Sequence, residues 1–389
     1  MGVQVLLVEH DDVGGLYPFT STHCAWELRI GVHTLLERWQ RAVPMCSVTV
    51  TSHRDSHMHS FVERYSTTAP YQIVPTLIVA GNLFVSPETM RQMVAVCSVS
   101  NQTIAFFCNG EPVAAFVPHA PSSPYAAVVL LDSSVTESIR RVEVPGKVIA
   151  RLWQVLDHIG DGILWDAQSI QNVVDDEAVV HSTTVIDERN GPVVIQEHAT
   201  IEPFCFLEGP VVIGSKSIVR AHSTIRGSII GPVCKVSGEI TNTVMQGYSN
   251  KQHDGFVGHT FIGEWCNLGA GTTTSNLKNT YGNVRARMPW FEEDTGRVFL
   301  GSLLAAYVST GIGTMLNTGF VVGTGCSITQ SNKRVSAVPA FSWIDGNDTV
   351  PNEIDKFISV TKTAMGRRSK QLGPHTESLL RSLHKQEHG

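Results

Sequence analysis

Aliphatic residues recur at every sixth position in the second half of the chain. Six of them follow one another without a gap: Ile195, Ile201, Leu207, Ile213, Val219 and Ile225. After a slip of one residue come Ile230 and Val236, and the count resumes at Ile262 and Leu268 and again at Leu300, Ile312, Val322 and Ile328. A period of six fits neither an α-helix nor a hairpin. It predicts a hexapeptide parallel β-helix, in which short strands stack their aliphatic side chains into an internal ladder.

Two segments interrupt this period. The first is SNKQHDGFVG, residues 249–258, where the aliphatic count stops at a histidine flanked by lysine, glutamine and aspartate. The second is SNLKNTYGNVRARMPWFEEDTGR, residues 275–297, which has no period and is predicted to leave the β-helix as a loop.

The first 150 residues alternate strand and helix signals. VQVLLVE, SVTVTS and PTLIVAG are predicted strands, and AWELRIGVHTLLERWQ and SPETMRQMVAVC are predicted helices. Asn109-Gly110 is expected to close a hairpin. This alternation favours an α/β layer domain with a mostly parallel sheet. A helix is predicted in GKVIARLWQVLDHI, which leads out of the domain, and two more are predicted after residue 352 with a break at Gly373-Pro374.

Length and composition limit the possible classes of protein. A chain of 389 residues is too long for one ordinary core. Its net charge of −6, without a basic block, argues against nucleic acid or an anionic membrane as the main partner. There is no 18-residue apolar run and no signal peptide pattern at the start, so we expect a cytoplasmic protein. Eight scattered cysteines without a CxxC motif predict reduced thiols and no metal site.

Several phrases resemble those of a known family. GYSNKQHDGFVG, GEWCNLGAGTTTSNLKN, NTGFVVG and PAFSW are similar to phrases of a sugar nucleotidyltransferase family. That family is similar to the bifunctional N-acetylglucosamine-1-phosphate uridyltransferase/glucosamine-1-phosphate acetyltransferase. The resemblance implies a Rossmann-like α/β nucleotidyltransferase domain with a linker helix at 1–165, a left-handed parallel β-helix of acyltransferase type at 166–345, and a helical tail at 346–389. It also implies a homotrimer.

The resemblance assigns roles to residues around both interruptions. His253 corresponds to the general base, which takes a proton from the attacking amine of the sugar. Asn267 and Asn276 correspond to residues that hold the substrate or polarise the carbonyl. The backbone at Ala270 and the hydroxyl of Ser302 correspond to positions lining the coenzyme A arm.

Cations near the first interruption and departures from the family pattern bear on the substrate. Arg226 and Lys251 are candidates for binding a sugar phosphate, because phosphate needs fixed cations. Phe256 lacks the hydroxyl of the corresponding aromatic residue. Phe320 replaces an alanine of the coenzyme site, and Tyr307 replaces a histidine. The acyl donor and the acceptor sugar therefore stay open.

The N-terminal domain departs further from its family. An active sugar nucleotidyltransferase begins with a loop of the form LxxGxGTRxxxxTxxxPK, which cradles a triphosphate. This chain has LLVEHDDVGGLYPFT, with no Arg or Lys before Arg29. Asn82 stands where the family has its magnesium aspartate, and an amide binds magnesium less well than a carboxylate does. Asp11 and Asp12 are substitute carboxylates, but we expect a degenerate domain.

The sequence thus predicts a transferase of nucleotide-sugar or amino-sugar metabolism. The first reading is acyl transfer by the β-helix from an acyl-CoA, expected to be acetyl-CoA, to an amino-sugar phosphate or nucleotide-sugar. An alternative is a sugar-1-phosphate nucleotidyltransferase using magnesium with UTP or dTTP, with the β-helix as an oligomerisation stalk. A further alternative is a sugar-nucleotide-binding protein without catalysis.

Overall fold

The computed structural model describes residues 2–9, 13–65, 69–119, 123–124, 139–331, 337–346 and 348–389. It divides into two compact units. Unit 1 comprises Met1–Leu16, His23–Leu28 and His33–Ala150, and unit 2 comprises Tyr17–Thr22, Arg29–Val32 and Arg151–Gly389. The division at 150/151 comes earlier than the predicted boundary at 165, because the linker segment packs with the β-helix unit. Asp11 and Asp12 lie outside the described residues.

Unit 1 is built on a six-stranded mixed sheet. In spatial order its strands are Val48–Thr51, Gln4–Val8, Thr76–Ala80, Glu111–Val117, Ile104–Cys108 and Arg140–Glu143. The first three are parallel, and the predicted hairpin is confirmed because the fourth and fifth pair antiparallel. Asn109 and Gly110 have φ of 54° and 82°, as a two-residue hairpin turn with the twist of its strands requires. Leu83–Phe84 pairs with Lys147–Val148 beside this sheet.

The described residues of unit 1 include the α-helices α1 (Leu35–Ala42), α2 (Asp55–Arg64) and α3 (Pro87–Ser98). The predicted helix over AWELRIGVHTLLERWQ is wrong in its first half, since only a 3-10 turn, Ala25–Glu27, precedes α1 there. The helix begins late because Thr34 caps it, accepting from the backbone N–H of Glu37. Further 3-10 turns are Gly14–Leu16 in unit 1 and Phe19–Ser21 in unit 2.

Unit 2 is a parallel β-helix with three sheets, here called A, B and C in the order in which each coil visits them. Sheet A contains Val193–Ile195, Val211–Ile213, Ile229–Ile230, Val244–Met245, Phe261–Ile262, Ser302–Leu304, Phe320–Val322 and Ala337–Val338. Sheet B contains Val179–Val180, Thr200–Ile201, Ile218–Val219, Lys235–Val236, Asn250–Lys251, Asn267–Leu268, Ser309–Thr310, Ser327–Ser331, Ser342–Gly346 and the antiparallel edge strand Asp348–Pro351. Sheet C contains Val185–Asp187, Phe206–Glu208, Thr224–Arg226, Glu239–Thr241 and Phe256–Gly258.

The interior of the β-helix confirms most of the predicted ladder. The first eight predicted residues are all buried, as are Ile262, Leu268, Val322 and Ile328. Ile312 is a correction, because its side chain is 84% exposed in a turn. After the long insertion the ladder resumes four residues beyond Leu300, and it runs through Leu304, Thr310 and Leu316 to Val322.

The second interruption is confirmed as an insertion between coils, although it carries a short hairpin of its own. Arg285–Arg287 pairs antiparallel with Glu292–Asp294. Just before the insertion, the strand Thr273–Thr274 follows the sheet B strand Asn267–Leu268. It pairs with Met315–Leu316 of the next coil in a separate two-stranded sheet.

The remaining helices of unit 2 flank the β-helix in sequence. A 3-10 segment, Leu152–His158, leads into α4 (Ile159–Ala167), so the linker helix lies later than predicted. The tail forms α5 (Ile354–Gly366) and α6 (Pro374–His388), which confirms the predicted pair of helices. Among the described residues, no helix is long and apolar enough to cross a membrane.

All eight cysteines are free thiols. Four of them fill the β-helix core, and burial raises the pKa of Cys234, Cys266 and Cys326 to about 12. These thiols therefore act as small apolar core residues and not as nucleophiles.

Candidate functional site

Three of the predicted site residues lie on two adjacent coils, on or just after strands of sheet B. His253 is exposed in the turn 252–255, which follows the strand Asn250–Lys251. On the next coil Asn267 is exposed on its strand, and Ala270 lies in the turn after it. The two turns are joined, because the Gly271 N–H donates to the Asp254 carbonyl over 3.0 Å. The structure therefore joins the turns that carry His253 and Ala270, while Asn267 precedes its turn at the start of its strand and aligns with Asn250 of the preceding coil.

The amide of Asn267 is oriented by its neighbour on the preceding coil. Asn250 Nδ2 donates to Asn267 Oδ1 over 3.3 Å, and Arg368 donates in turn to Asn250 Oδ1 over 2.6 Å. Asn267 Oδ1 is thereby directed towards the preceding coil, and the exposed side chain still has its N–H₂ group as a donor. A donor in this position can bind a substrate oxygen.

Asn267 also lines a cavity of about 450 Å³ between the outer face of sheet B and helix α5. Trp265, Tyr307 and Trp343 supply aromatic walls, and Lys356 of α5 lies 5.6 Å from the ring of Trp343. The floor between them is polar, with Ser309 and Ser327 hydrogen-bonded over 3.1 Å. This combination of flat apolar walls with a few convergent polar groups is typical of small-molecule sites.

Lys251 is not the surface cation that the sequence suggested. Its side chain is fully buried in the β-helix, at the position that Val236 and Leu268 occupy on the adjacent coils. Its Nζ donates to the backbone carbonyls of His253 and Asp254. Burial lowers its pKa to about 8, against a smaller opposing effect of Asp254. Direct contact with a substrate phosphate is therefore excluded for this side chain.

Ser302 is a second correction. It begins a strand of sheet A, is fully buried, and aligns with Phe320 of the next coil, which belongs to the interior cluster. Its backbone N–H donates to Thr260 Oγ1 over 3.1 Å. The hydroxyl consequently lies inside the β-helix and cannot line a coenzyme arm on its surface. The same orientation removes Phe320 from the surface.

Asn276 is placed at a different corner, between sheets C and A. Its Nδ2 lies 2.9 Å from Nδ1 of His259, which is not among the site residues expected from the sequence. An amide nitrogen can only donate, so Nδ1 of His259 accepts and is unprotonated. The imidazole also stacks on Phe299, with ring centroids 5.3 Å apart. The sequence does contain a signal for His259, because it lies six residues after His253, at the start of the next coil.

We expect His259 to stay neutral below the pH at which a solvated histidine takes up its proton. Burial and the nearby charge of Arg297 lower its pKa, and Asp157 opposes them. The unfolded chain then binds more protons than the folded one, so this group's contribution to stability is lost as the pH falls through the ordinary histidine range. A pH titration of the imidazole signals by NMR checks this, with the urea-unfolded chain as the reference. Protonation of His259 in the folded chain at the same pH as in the unfolded chain, or at a higher one, would contradict it.

Arg226 is already engaged in ion pairs along sheet C. Its Nε lies 3.0 Å from the carboxylate of Glu208 and its Nη1 lies 3.7 Å from that of Glu239. The guanidinium also lies 5.4 Å from the ring of Phe206. Two carboxylates on one guanidinium leave little positive charge for a phosphate.

In unit 1, a buried carboxylate at the carboxyl end of the first parallel strand is paired within the chain. Glu9 is buried at the end of the first strand and accepts from Arg54 (2.7 Å), Ser52 Oγ (2.6 Å) and the Ala25 N–H (2.7 Å). Ligands of open α/β sheets bind at this edge. Asn82 donates to the Ile149 carbonyl over 3.1 Å, so its amide has a structural partner. Both observations agree with a degenerate domain.

Two family models match the chain. Residues 5–173 match the model described as a sugar nucleotidyl transferase, and residues 192–227 match that of the bacterial transferase hexapeptide with six repeats. The chain thus combines a sugar nucleotidyl transferase region with hexapeptide repeats, both of transferase families, which confirms the resemblance seen in the sequence.

Curated relatives of the chain include proteins named bifunctional protein GlmU. One from Methanococcus aeolicus is 25% identical over 238 residues, which cover 60% of this chain and 53% of the relative. One from Herminiimonas arsenicoxydans is 28% identical over 160 residues, covering 40% and 30%. One from Bordetella parapertussis is 33% identical over 132 residues, covering 33% and 27%. The chain therefore spans about half or less of the length of these relatives.

The solved structures that resemble part of the chain include two transferases. AntD, an N-acyltransferase from Bacillus cereus in complex with dTDP and 3-hydroxybutyryl-CoA, is 14% identical, with a TM-score of 0.24 and coverage of 53% of this chain and 96% of that one. A hexapeptide transferase family protein from Anaplasma phagocytophilum is 11% identical, with a TM-score of 0.23 and coverage of 53% and 92%.

Proposed function

We propose that the β-helix unit transfers an acyl group from an acyl-CoA, with acetyl-CoA as the expected donor, to the amine of an amino-sugar phosphate or nucleotide-sugar. The observation that carries this proposal is the placement of exposed His253 one coil away from Asn267, which lines the cavity beside sheet B. The similarity to GlmU proteins supports a sugar substrate.

These residues would divide the chemistry as follows. The substrate amine attacks the thioester carbonyl, and His253 accepts the proton that the amine loses as the C–N bond forms. The C–S bond then breaks, and the coenzyme A thiolate leaves and takes up a proton. Asn267 donates its N–H₂ group to the acceptor sugar or to the carbonyl oxygen that gains charge. The turn backbone at Ala270 borders the donor.

A homotrimer is part of this proposal. Its edges would bring His253 of one copy near sheet C or the 275–297 insertion of another, so that His259 and Asn276 could face a shared substrate. Symmetric assemblies often build sites between copies in this way.

Release of coenzyme A thiol from acetyl-CoA tests the proposal. We expect the full chain to release thiol only when an amino-sugar phosphate or an amino-sugar nucleotide is supplied, and acetyl-CoA to raise the Tm. A panel of glucosamine-1-phosphate and amino-sugar derivatives of UDP and dTDP serves as acceptor. Thiol release that is equal with the matched hydroxyl sugars would contradict acyl transfer to an amine.

The match of residues 5–173 to the sugar nucleotidyl transferase model favours a second function, which is nucleotidyl transfer to a sugar-1-phosphate. In that case UTP or dTTP with magnesium would raise the Tm, and pyrophosphate would be released with a sugar-1-phosphate. The Glu9–Arg54 pair and the Asn82 hydrogen bond weigh against this reading. A Tm shift with a nucleotide-sugar but without either product would support the non-catalytic alternative.

A further inference from the structure

Over the described coils, the ladder of sheet B contains one charged residue. Going from coil to coil, the inward positions around it are Val219, Val236, Lys251 and Leu268, and each is at most 2% exposed. Any aliphatic residue would fill this position at lower cost, because transferring an ammonium group out of water costs several kcal/mol unless its donors are satisfied. The lysine therefore calls for an explanation beyond packing.

Turns two coils before and two coils after Lys251 have a side-chain donor that this turn lacks. In them the fourth residue after the ladder position is buried and donates to a carbonyl of its own turn: Ser223 Oγ to Arg220 O (2.5 Å) and Thr314 Oγ1 to Gly311 O (2.9 Å). In the turn that carries His253, the corresponding residue is Gly255, which has no side-chain donor.

Gly255 cannot be replaced by a residue with a donor. It has φ of +133°, and an added Cβ would lie 2.3 Å from the Thr272 carbonyl oxygen. The same Cβ would lie 3.2 Å from Lys251 Nζ. In the equivalent turns the left-handed residue is the third one, as at His222 and Gly313, so the His253 turn has a backbone shape of its own.

Lys251 supplies a donor from inside, although to the second and third carbonyls after the ladder position and not to the first, as Ser223 and Thr314 do. Its Nζ donates to the carbonyl of His253 itself and to that of Asp254 (2.8 Å), which also accepts from the Gly271 N–H (3.0 Å). The backbone carbonyls of two consecutive residues, His253 and Asp254, thus both accept hydrogen bonds from one buried cation. We propose that Lys251 is a positioning residue, which holds the otherwise divergent turn in the shape that presents His253. This inference rests on the proposed function, in which His253 is the base.

The test replaces Lys251 by methionine, which is similar in length and restores an apolar ladder. We expect Lys251→Met to keep or raise the Tm, since buried charges are often replaced by apolar residues without loss. We expect kcat for thiol release to fall by about 10-fold to 100-fold, as small misplacements of a catalytic group do, with KM for acetyl-CoA little changed. Leu268→Met, one coil further on the same ladder, is the matched control and should retain wild-type kcat.

A second measurement does not depend on catalysis. Amide hydrogen exchange and ¹⁵N relaxation at residues 252–255 should show a loosened turn in Lys251→Met and an unchanged turn in Leu268→Met. Wild-type thiol release that is absent from the start would refute the proposed function, while the exchange data would still decide on the turn.

Three results would overturn the role of Lys251: wild-type kcat in Lys251→Met, a turn as rigid as in the wild type, or a fall in kcat that merely parallels a fall in Tm. If Lys251→Met does not fold, Lys251→Gln, which keeps an uncharged donor of shorter reach, takes its place with the same measurements and the same outcomes.

Discussion

Replacing His253 by alanine is expected to lower the rate of thiol release from acetyl-CoA by about 10²–10⁴-fold, the usual contribution of a positioned general base. The Tm should change little, because the imidazole is exposed in a turn and fills no part of the core. The fall should appear mainly in kcat, since proton transfer occurs only as the amine attacks. The measurement is a continuous thiol assay at saturating acceptor, with the Tm of each variant recorded in parallel.

The chain offers a matched control on the same corner of the β-helix. His222 is also an exposed histidine in a turn between sheets B and C, on an earlier coil, where its ring stacks on Phe204 with centroids 5.2 Å apart. We expect His222→Ala to retain wild-type kcat. If His253→Ala retains activity while His259→Gln loses it, the base is at the other corner, where His259 contacts Asn276.

The fold was largely predictable because two periodic patterns act over long stretches. Uninterrupted six-residue spacing from Ile195 to Ile225 leaves no other architecture, and the strand and helix alternation in the first 150 residues predicts the mixed layers found there. The helix over AWELRIGVHTLLERWQ was mispredicted because its apolar residues are buried for another reason. Leu28 and Val32 are core residues of an irregular segment, and the capping by Thr34 starts the helix later.

The candidate site was only partly predictable, because a linear spacing does not say which way a side chain points. His253 and Ala270 follow adjacent sheet B strands, in turns joined by a hydrogen bond, whereas Asn267 lies at the start of its strand beside Asn250. Lys251 and Ser302 looked like surface groups because lysine and serine usually are, yet both occupy inward positions of the β-helix. Only the register between coils reveals that Lys251 takes the place of an aliphatic residue.

The long insertion explains the two predicted members, Leu300 and Ile312, that lie off the ladder. Counting from Leu300 leads to Ile312, while the structure counts Leu304, Thr310, Leu316, Val322 and Ile328 in steps of six. Thr310 hides this frame in the sequence because it puts a polar residue on the ladder. Its hydroxyl is paired inside the β-helix with that of Thr272 at 2.7 Å, so the polar position is satisfied.

With this corrected frame, two aliphatic substitutions only eight positions apart are predicted to differ greatly in their effect on the free energy of unfolding. Leu304→Ala is expected to destabilise the β-helix unit by about 2–5 kcal/mol, because the side chain is fully buried between Ile262 and Val322 and its removal leaves a cavity. Ile312→Ala should change the free energy of unfolding by less than about 0.5 kcal/mol, because the side chain is 84% exposed.

Urea unfolding followed by β-sheet circular dichroism, at one protein concentration to hold any assembly constant, measures both effects. Equal destabilisation by the two variants would mean that Ile312 is buried in the assembled protein, for instance against another copy. A larger effect at Ile312 than at Leu304 would refute the frame itself, and with it the inward placement of Ser302, which lies on the same strand as Leu304. The comparison therefore tests the register on which the corrected position of Ser302 depends.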